Sequence, residues 1–309
     1  QKWAEAIEAY REVSDREGRV SGDPWPAAAR RRLSAILEPW LMAALKAGDE
    51  WTAMMLFHRH GTMADHAYSG KDLIVRVADA HRRAGFSAEA VKMYQTILKN
   101  PSARAIHEEA LIGLGASYLD QTDFVSARKI FERYRVQYPL GRHKLDALGL
   151  LAMTLHGQGL LPEAIRLCRQ WLDLSPNHAD RPRMWARLGA ALIDHGETAL
   201  ALKAYADADR EGALLSPSAR LRYADLLARH RAPEEALRQY QAALRLSPGE
   251  PEVQWAAIGL AGLGQDSKRA ADTDAMFRDI GRMTDDPWTT RVVSALRADL
   301  STDAGQEPD

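Results

Sequence analysis

The amino-acid sequence predicts an all-α protein built as a row of antiparallel helix pairs, and three observations carry that prediction. A short phrase recurs along almost the whole 309-residue chain: an Ala followed four residues later by an aromatic. A second small residue precedes each later copy of that Ala by twelve residues. No stretch shows the sustained apolar–polar alternation of β-branched residues that marks strands. The recurrent alanines are Ala53, Ala90, Ala127, Ala164, Ala201 and Ala236, at intervals of 37, 37, 37, 37 and 35 residues. Their aromatic places hold Phe57, Tyr94, Phe131, Cys168, Tyr205 and Tyr240, and the earlier small residues are Ala78, Gly115, Ala152, Gly189 and Ala224. A fixed period of this length is the mark of stacked supersecondary units.

Taken in order, residues 1–36 read as a partial repeat plus an insertion. Ala6 and Tyr10 match the phrase, and about ten extra residues lie around Arg16 to Trp25. Residues 37–284 read as the repeat array. The third unit shows why each period is two helices. Leu111, Leu114, Tyr118 and Leu119 lie at helical spacing, Gln121 to Asp123 interrupt, and Ala127, Ile130, Phe131 and Tyr134 resume the stripe. Tyr138-Pro139-Leu140-Gly141 then stops it, because Pro cannot continue a helix and Gly favours the terminating geometry. The fourth unit turns at Gly159 and ends at Pro176, and the sixth ends at Pro248. Residues 285–300 read as one more helix that covers the exposed end of the array. Residues 301–309 lack a core-forming pattern and read as a disordered tail. The small residues have a mechanical role, since two closely packed helices need a point where side chains do not hold the backbones apart. The aromatic, one turn beyond the second Ala on the same face, fills the space between helices.

These features resemble the tetratricopeptide repeat family. Trp185, Leu188, Gly189, Leu192, Gly196, Ala201, Tyr205 and Ala208 follow its pattern, as do Leu148, Leu151, Ala152, Leu155, Gly159, Ala164, Trp171 and Pro176. The resemblance implies a right-handed α-solenoid of about seven units whose first helices line a concave groove that binds a protein or peptide. This chain departs from the family in its 37-residue period against the usual 34, in Pro39 inside a first helix, and in Leu41 where a small residue is expected. The resemblance places Arg76, Asp79, Arg83, Ile112, Ala116, Leu119, Met153, His156, Arg187, Arg222 and Arg229 on the groove as candidate partner contacts, with Val75 and Leu221 beside them. A small apolar centre with arginine rims suits an amphipathic or acidic-flanked segment. The alternative is that these arginines form solvated or intramolecular ion pairs. The lysine-and-asparagine clamp of chaperone-binding members is missing, because its places hold Val75, Asp79, Ile112, Ala116, Gly149 and Met153. One unit, SARKIFERYRVQYPLGRHKLDAL, also resembles repeats of bacterial envelope assembly proteins, which points to a bacterial setting in cytoplasm or periplasm.

Composition narrows the function classes. Lys plus Arg is 41 and Asp plus Glu is 42, a formal net charge of −1. Nucleic-acid binders carry a basic excess to meet phosphates, so RNA recognition is disfavoured. A single cysteine, Cys168, excludes an internal disulfide and a cysteine-built metal site. It stands in an aromatic core place and reads as a buried, inert thiol. No apolar run is long enough for a membrane-spanning helix. The histidines of FHRHGTMADH, namely His58, His60 and His66 with Asp65 nearby, read as surface or helix-end groups, because ligands must converge and residues two apart on a helix diverge. The glycines of GLGAS and GQGLL do not follow strands, so phosphate-loop readings fail, and no catalytic signature appears. The expectation is a non-enzymatic interaction scaffold without cofactor or metal. The runner-up is a regulatory or substrate-docking module of a larger enzyme. The chain opens on Gln1 already in helical pattern and reads as a piece of a longer protein.

Overall fold

The computed structural model describes residues 9, 12, 25–67, 71–212, 215–230, 232–246, 255–260, 263, 270–283 and 287–303. All the regular structure among them is helical. The expected partial repeat at Ala6 and Tyr10 lies outside the described residues, as do residues 304–309 of the expected tail. The chain forms two compact units, Gln1–Gly159 and Leu160–Asp309.

Unit 1 contains α1 (Trp25–Ala47), α2 (Glu50–Ala67), α3 (Lys71–Arg83), α4 (Ser87–Lys99), a 3-10 segment (Pro101–Ile106), α5 (His107–Asp120), α6 (Phe124–Gln137) and α7 (Lys144–Gly157). Each helix packs on the next. Unit 2 contains α8 (Leu161–Leu174), α9 (Arg181–Asp194), α10 (Thr198–Arg210), α11 (Pro217–Arg229), α12 (Pro233–Leu246), a helical stretch at 255–260, α13 (Ala270–Met283) and α14 (Pro287–Asp303). Most helices run 13 or 14 residues, so the residues that stretch the period to 37 are not spent on longer helices. They lie in the connections between pairs, among them the 3-10 segment, where the Asn100 side chain accepts from the Ser102 amide at 3.0 Å. Pro39 lies within α1 without ending it.

The helix ends follow from local chemistry. Asp49 and Asp123 accept amide hydrogen bonds from Thr52 and Ser126, both at 3.0 Å, and start α2 and α6. Pro162, Pro182 and Pro217 stand in first turns, where the missing N–H is no loss. Between the two helices of a pair the chain reverses through one left-handed residue. Gly85, Gly159 and Gly196 fill this place, and Thr122 fills it in the third unit at φ 57°. The four positions are 37 residues apart, and the turns at Gly85, Thr122 and Gly196 send the following amide back to a carbonyl of the preceding helix, as Asp123 N–H does to Tyr118 at 2.9 Å.

The recurrent alanines and aromatics form the interior. Ala53, Ala90, Ala127, Ala164, Ala201 and Ala236 are all fully buried, and so are Tyr94, Phe131 and Tyr205, while Tyr240 is 1% exposed. A Cβ on Gly115 would meet the Phe131 ring at 2.5 Å, and one on Gly189 would meet Tyr205 at 2.8 Å. The same contact joins successive pairs: a Cβ on Gly113 would meet the Tyr94 ring and one on Gly259 the Tyr240 ring.

Thr122→Gly relieves a β-branched residue of its left-handed conformation and raises stability by about 0.5–1 kcal/mol, read as a higher urea midpoint. Gly113→Val forces atoms into the Tyr94 ring and lowers stability by about 1–3 kcal/mol, with the slope of the urea transition unchanged.

Candidate functional site

The candidate contacts lie on the first helices of successive pairs. In unit 1, α3 carries Arg76, Asp79 and Arg83, α5 carries Ile112, Ala116 and Leu119, and α7 carries Met153 and His156. Arg76 and Arg83 are exposed, and Ile112, Ala116, Leu119 and His156 are half-buried. Met153 is 38% exposed, a large apolar side chain open to solvent. In unit 2, α9 carries Arg187 and α11 carries Arg222 and Arg229. Arg187 and Arg222 are half-buried and Arg229 is exposed. Val75 and Leu221, read from the register as part of the inner face, are core residues at 7% and 0% exposure. They point between helices, because the face that meets the neighbouring pair is wider than the repeat phrase alone suggests.

The arginine rims are partly neutralised from within. Arg82 pairs with Asp120 at 3.1 Å, Arg83 with Glu50 at 2.9 Å, and Arg222 with Asp194 at 3.3 Å. These are partly exposed pairs and each contributes little to stability. Arg76, Arg187 and Arg229 have no carboxylate within ion-pair distance among the described residues. Asp79 does not face a partner freely either, because it accepts the Tyr94 hydroxyl hydrogen bond. Asp225 does the same for Tyr240 and also accepts from Trp255 Nε1 at 2.7 Å. Burial raises both tyrosine pKa values above their ordinary range, and the adjacent carboxylates raise them further, so the phenols stay neutral donors.

Sequence reasoning missed one cluster in unit 1. His58, on α2, places Nε2 2.9 Å from Nε2 of His81 on α3. His81 is 1% exposed, and its Nδ1 lies 2.8 Å from the Val77 carbonyl. That carbonyl can only accept, so His81 Nδ1 carries the proton and its Nε2 must accept from His58. His58 therefore faces a buried histidine rather than solvent alone, and only the helix packing reveals it, since the two are 23 residues apart. The side chains of His60, His66 and Asp65 lie outside the described residues. No group of three or more metal-ligating side chains converges among the described residues. Cys168 is 2% exposed, and burial pushes its thiol up to about 12, as expected for an inert thiol, although Arg187 opposes the shift. No described helix is long and apolar enough to cross a membrane.

Comparison with known proteins addresses the repeat directly. The tetratricopeptide repeat family matches residues 77–142 and 186–251. Both stretches are tetratricopeptide repeats. The first match runs from within α3 to just before α7, and the second from within α9 past the end of α12. No curated protein matches the chain. Among solved structures, the pilF protein of Pseudomonas aeruginosa is similar at 15% identity and a TM-score of 0.55, over 82% of this chain and 96% of that one. A tetratricopeptide repeat protein from Parabacteroides merdae is similar at 16% identity and a TM-score of 0.57, over 83% and 98%. At these identities the likeness shows the fold, and the tetratricopeptide repeats show it again in the helix pairs described above.

The histidine pair sets a pH dependence for this protein. Burial lowers the His81 pKa from its ordinary 6.5, His58 on α2 lowers it further, and the Val77 carbonyl and Glu89 on α4 oppose the shift. The folded state then binds fewer protons than the unfolded chain below pH 6.5. Stability is complete above that pH and is lost as the pH falls through the interval down to the lowered value. Melting temperature measured from pH 8 to 5 falls in this window, and the fall is smaller in His81→Leu.

Proposed function

We propose that this chain is a non-enzymatic scaffold that holds a protein or peptide partner against the first-helix faces of its repeats. Tetratricopeptide repeats in general mediate protein–protein interaction, and the observation that carries the reading here is the chemistry of that face in unit 1. Ile112, Ala116 and Leu119 form a half-buried apolar stripe on α5, and Met153 on α7 is open to solvent. A thioether of this kind adapts to irregular apolar surfaces. Charged side chains flank the stripe, with Arg76 exposed and Arg82 tied to Asp120. An apolar centre with a polar rim is the usual anatomy of an interface. An amphipathic or acidic-flanked segment fits it, since apolar side chains would cover Leu119 and Met153 while carboxylates would meet the free arginines. The likeness of residues 126–148 to envelope repeats supports a bacterial assembly as the setting.

Partner capture with the purified chain tests this. Leu119→Glu and Met153→Glu each introduce a charge into the stripe and release the partner, with binding weakened at least tenfold. Val136→Glu, at an 81% exposed position on the second helix α6, retains it. Equal retention by all three folded variants removes the proposed face as the binding surface.

A further inference from the structure

The repeat register singles out one exposed place in unit 1 that differs from its counterparts. Counted along the second helices, Met55 of α2 corresponds to Lys92, Lys129, Arg166, Lys203 and Arg238. All five counterparts are exposed cations, and Met55 itself is 58% exposed. One turn earlier on the same face stands Trp51, 63% exposed, where two other pairs carry Ala88 and Ala199. The ring of Phe86, in the turn between α3 and α4 and 41% exposed, lies against Trp51, with centroids 6.1 Å apart and planes tilted by 31°. Single exposed apolar side chains are ordinary. Three that adjoin, one of them in place of a solubilising cation, form a patch of the kind that marks an interaction surface.

The size, shape and charge of the patch restrict what covers it. At these exposures the three residues present roughly 300–400 Å². A stable dimer needs about 800 Å² from each partner, so the patch does not by itself hold a second copy of the chain. Asp49 and Glu50 immediately precede Trp51, which disfavours an anionic lipid surface. Both are already engaged, Asp49 by the Thr52 amide at 3.0 Å and Glu50 by Arg83 at 2.9 Å, so neither calls for a charged partner. Trp51 to Met55 is one helical turn, about 6 Å. That is shorter than the i to i+7 span over which an amphipathic helix anchors. A polyproline II segment advances about 3.1 Å per residue, so two or three residues cover this length. It holds its shape without internal hydrogen bonds, and aromatic surfaces are where it docks.

We propose that a proline-rich segment of a protein partner, in polyproline II conformation, docks on Trp51, Met55 and Phe86. Its pyrrolidine rings pack on the two aromatics, and one of its carbonyls accepts from the Trp51 indole N–H. This surface lies on α2 and the turn before α4, apart from the first-helix face proposed above, and the two readings stand independently. Met55 in place of a cation then avoids the cost of covering an ammonium group.

The test titrates the full chain into fluorescein-labelled decaproline and into a labelled Gly-Ser repeat of equal length, followed by anisotropy. Decaproline binds at least tenfold more tightly than the Gly-Ser peptide. Trp51→Ala combined with Met55→Lys gives α2 the residues that α4 carries at the same places, Ala88 and Lys92, so the fold accommodates it. This double variant keeps the melting temperature and weakens decaproline at least tenfold, while Val136→Glu, at an 81% exposed position on α6, leaves binding unchanged. Equal binding of the two peptides, or decaproline binding unaffected by the double variant, overturns the proposal. Decaproline released by Met153→Glu but held by the double variant also overturns it, and places the segment on the first-helix face instead. If decaproline fails to bind while the double variant abolishes binding to neutral phosphatidylcholine vesicles, or self-association in sedimentation, the patch serves a lipid surface or a second copy and the proposal falls.

Discussion

The structure depends on the close approach of an aromatic ring to a helix backbone that has no side chain in the way. Gly115 faces Phe131 and Gly189 faces Tyr205 within their pairs, while Gly113 faces Tyr94 and Gly259 faces Tyr240 between pairs. A protein interior is packed to crystal density, so a ring and a Cβ cannot share these spaces. The same complementarity explains an exchange in unit 2. Nineteen residues after Tyr94 stands Gly113, whereas nineteen residues after the smaller Cys168 stands Arg187, whose guanidinium lies in the field of that thiol. Where the second helix gives up bulk, the next first helix supplies it.

This packing also decides which polar groups can serve a partner. Rings that fill the space between helices carry their hydroxyls towards the first helix, and a carboxylate there ties the two helices together. Glu108 extends the principle: it accepts the Tyr134 hydroxyl at 2.6 Å and the His143 amide at 3.1 Å, and so joins α5, α6 and the start of α7. Polar groups satisfied in this way are structural. Counting arginines on a face overstates its free charge, since Arg82, Arg83 and Arg222 are held by carboxylates of neighbouring helices.

Much of this was legible in the residues. The small and aromatic places recur at fixed distance, so the helix pairs, their turns and the buried tyrosines could be read directly from spacing. Cys168 could be placed in the core by its register alone. Val75 and Leu221 show where that reading stops. A residue beside the small place turns inward or outward according to the rotation of the helix against its neighbour, and periodicity does not carry that angle. The 3-10 segment Pro101–Ile106 was likewise hidden, because its sequence holds no stripe.

Spacing along the chain sets the class of fold, the pairing of helices and the register of the small and aromatic places, because these follow from short-range intervals repeated many times. Only the tertiary structure decided that His58 meets His81, that Arg82 is held by Asp120, and that the Tyr205 hydroxyl lacks the acceptor its counterparts possess. These contacts join side chains on different helices, and their existence turns on rotamer direction and on ångström-scale helix approach, neither of which the repeat pattern encodes.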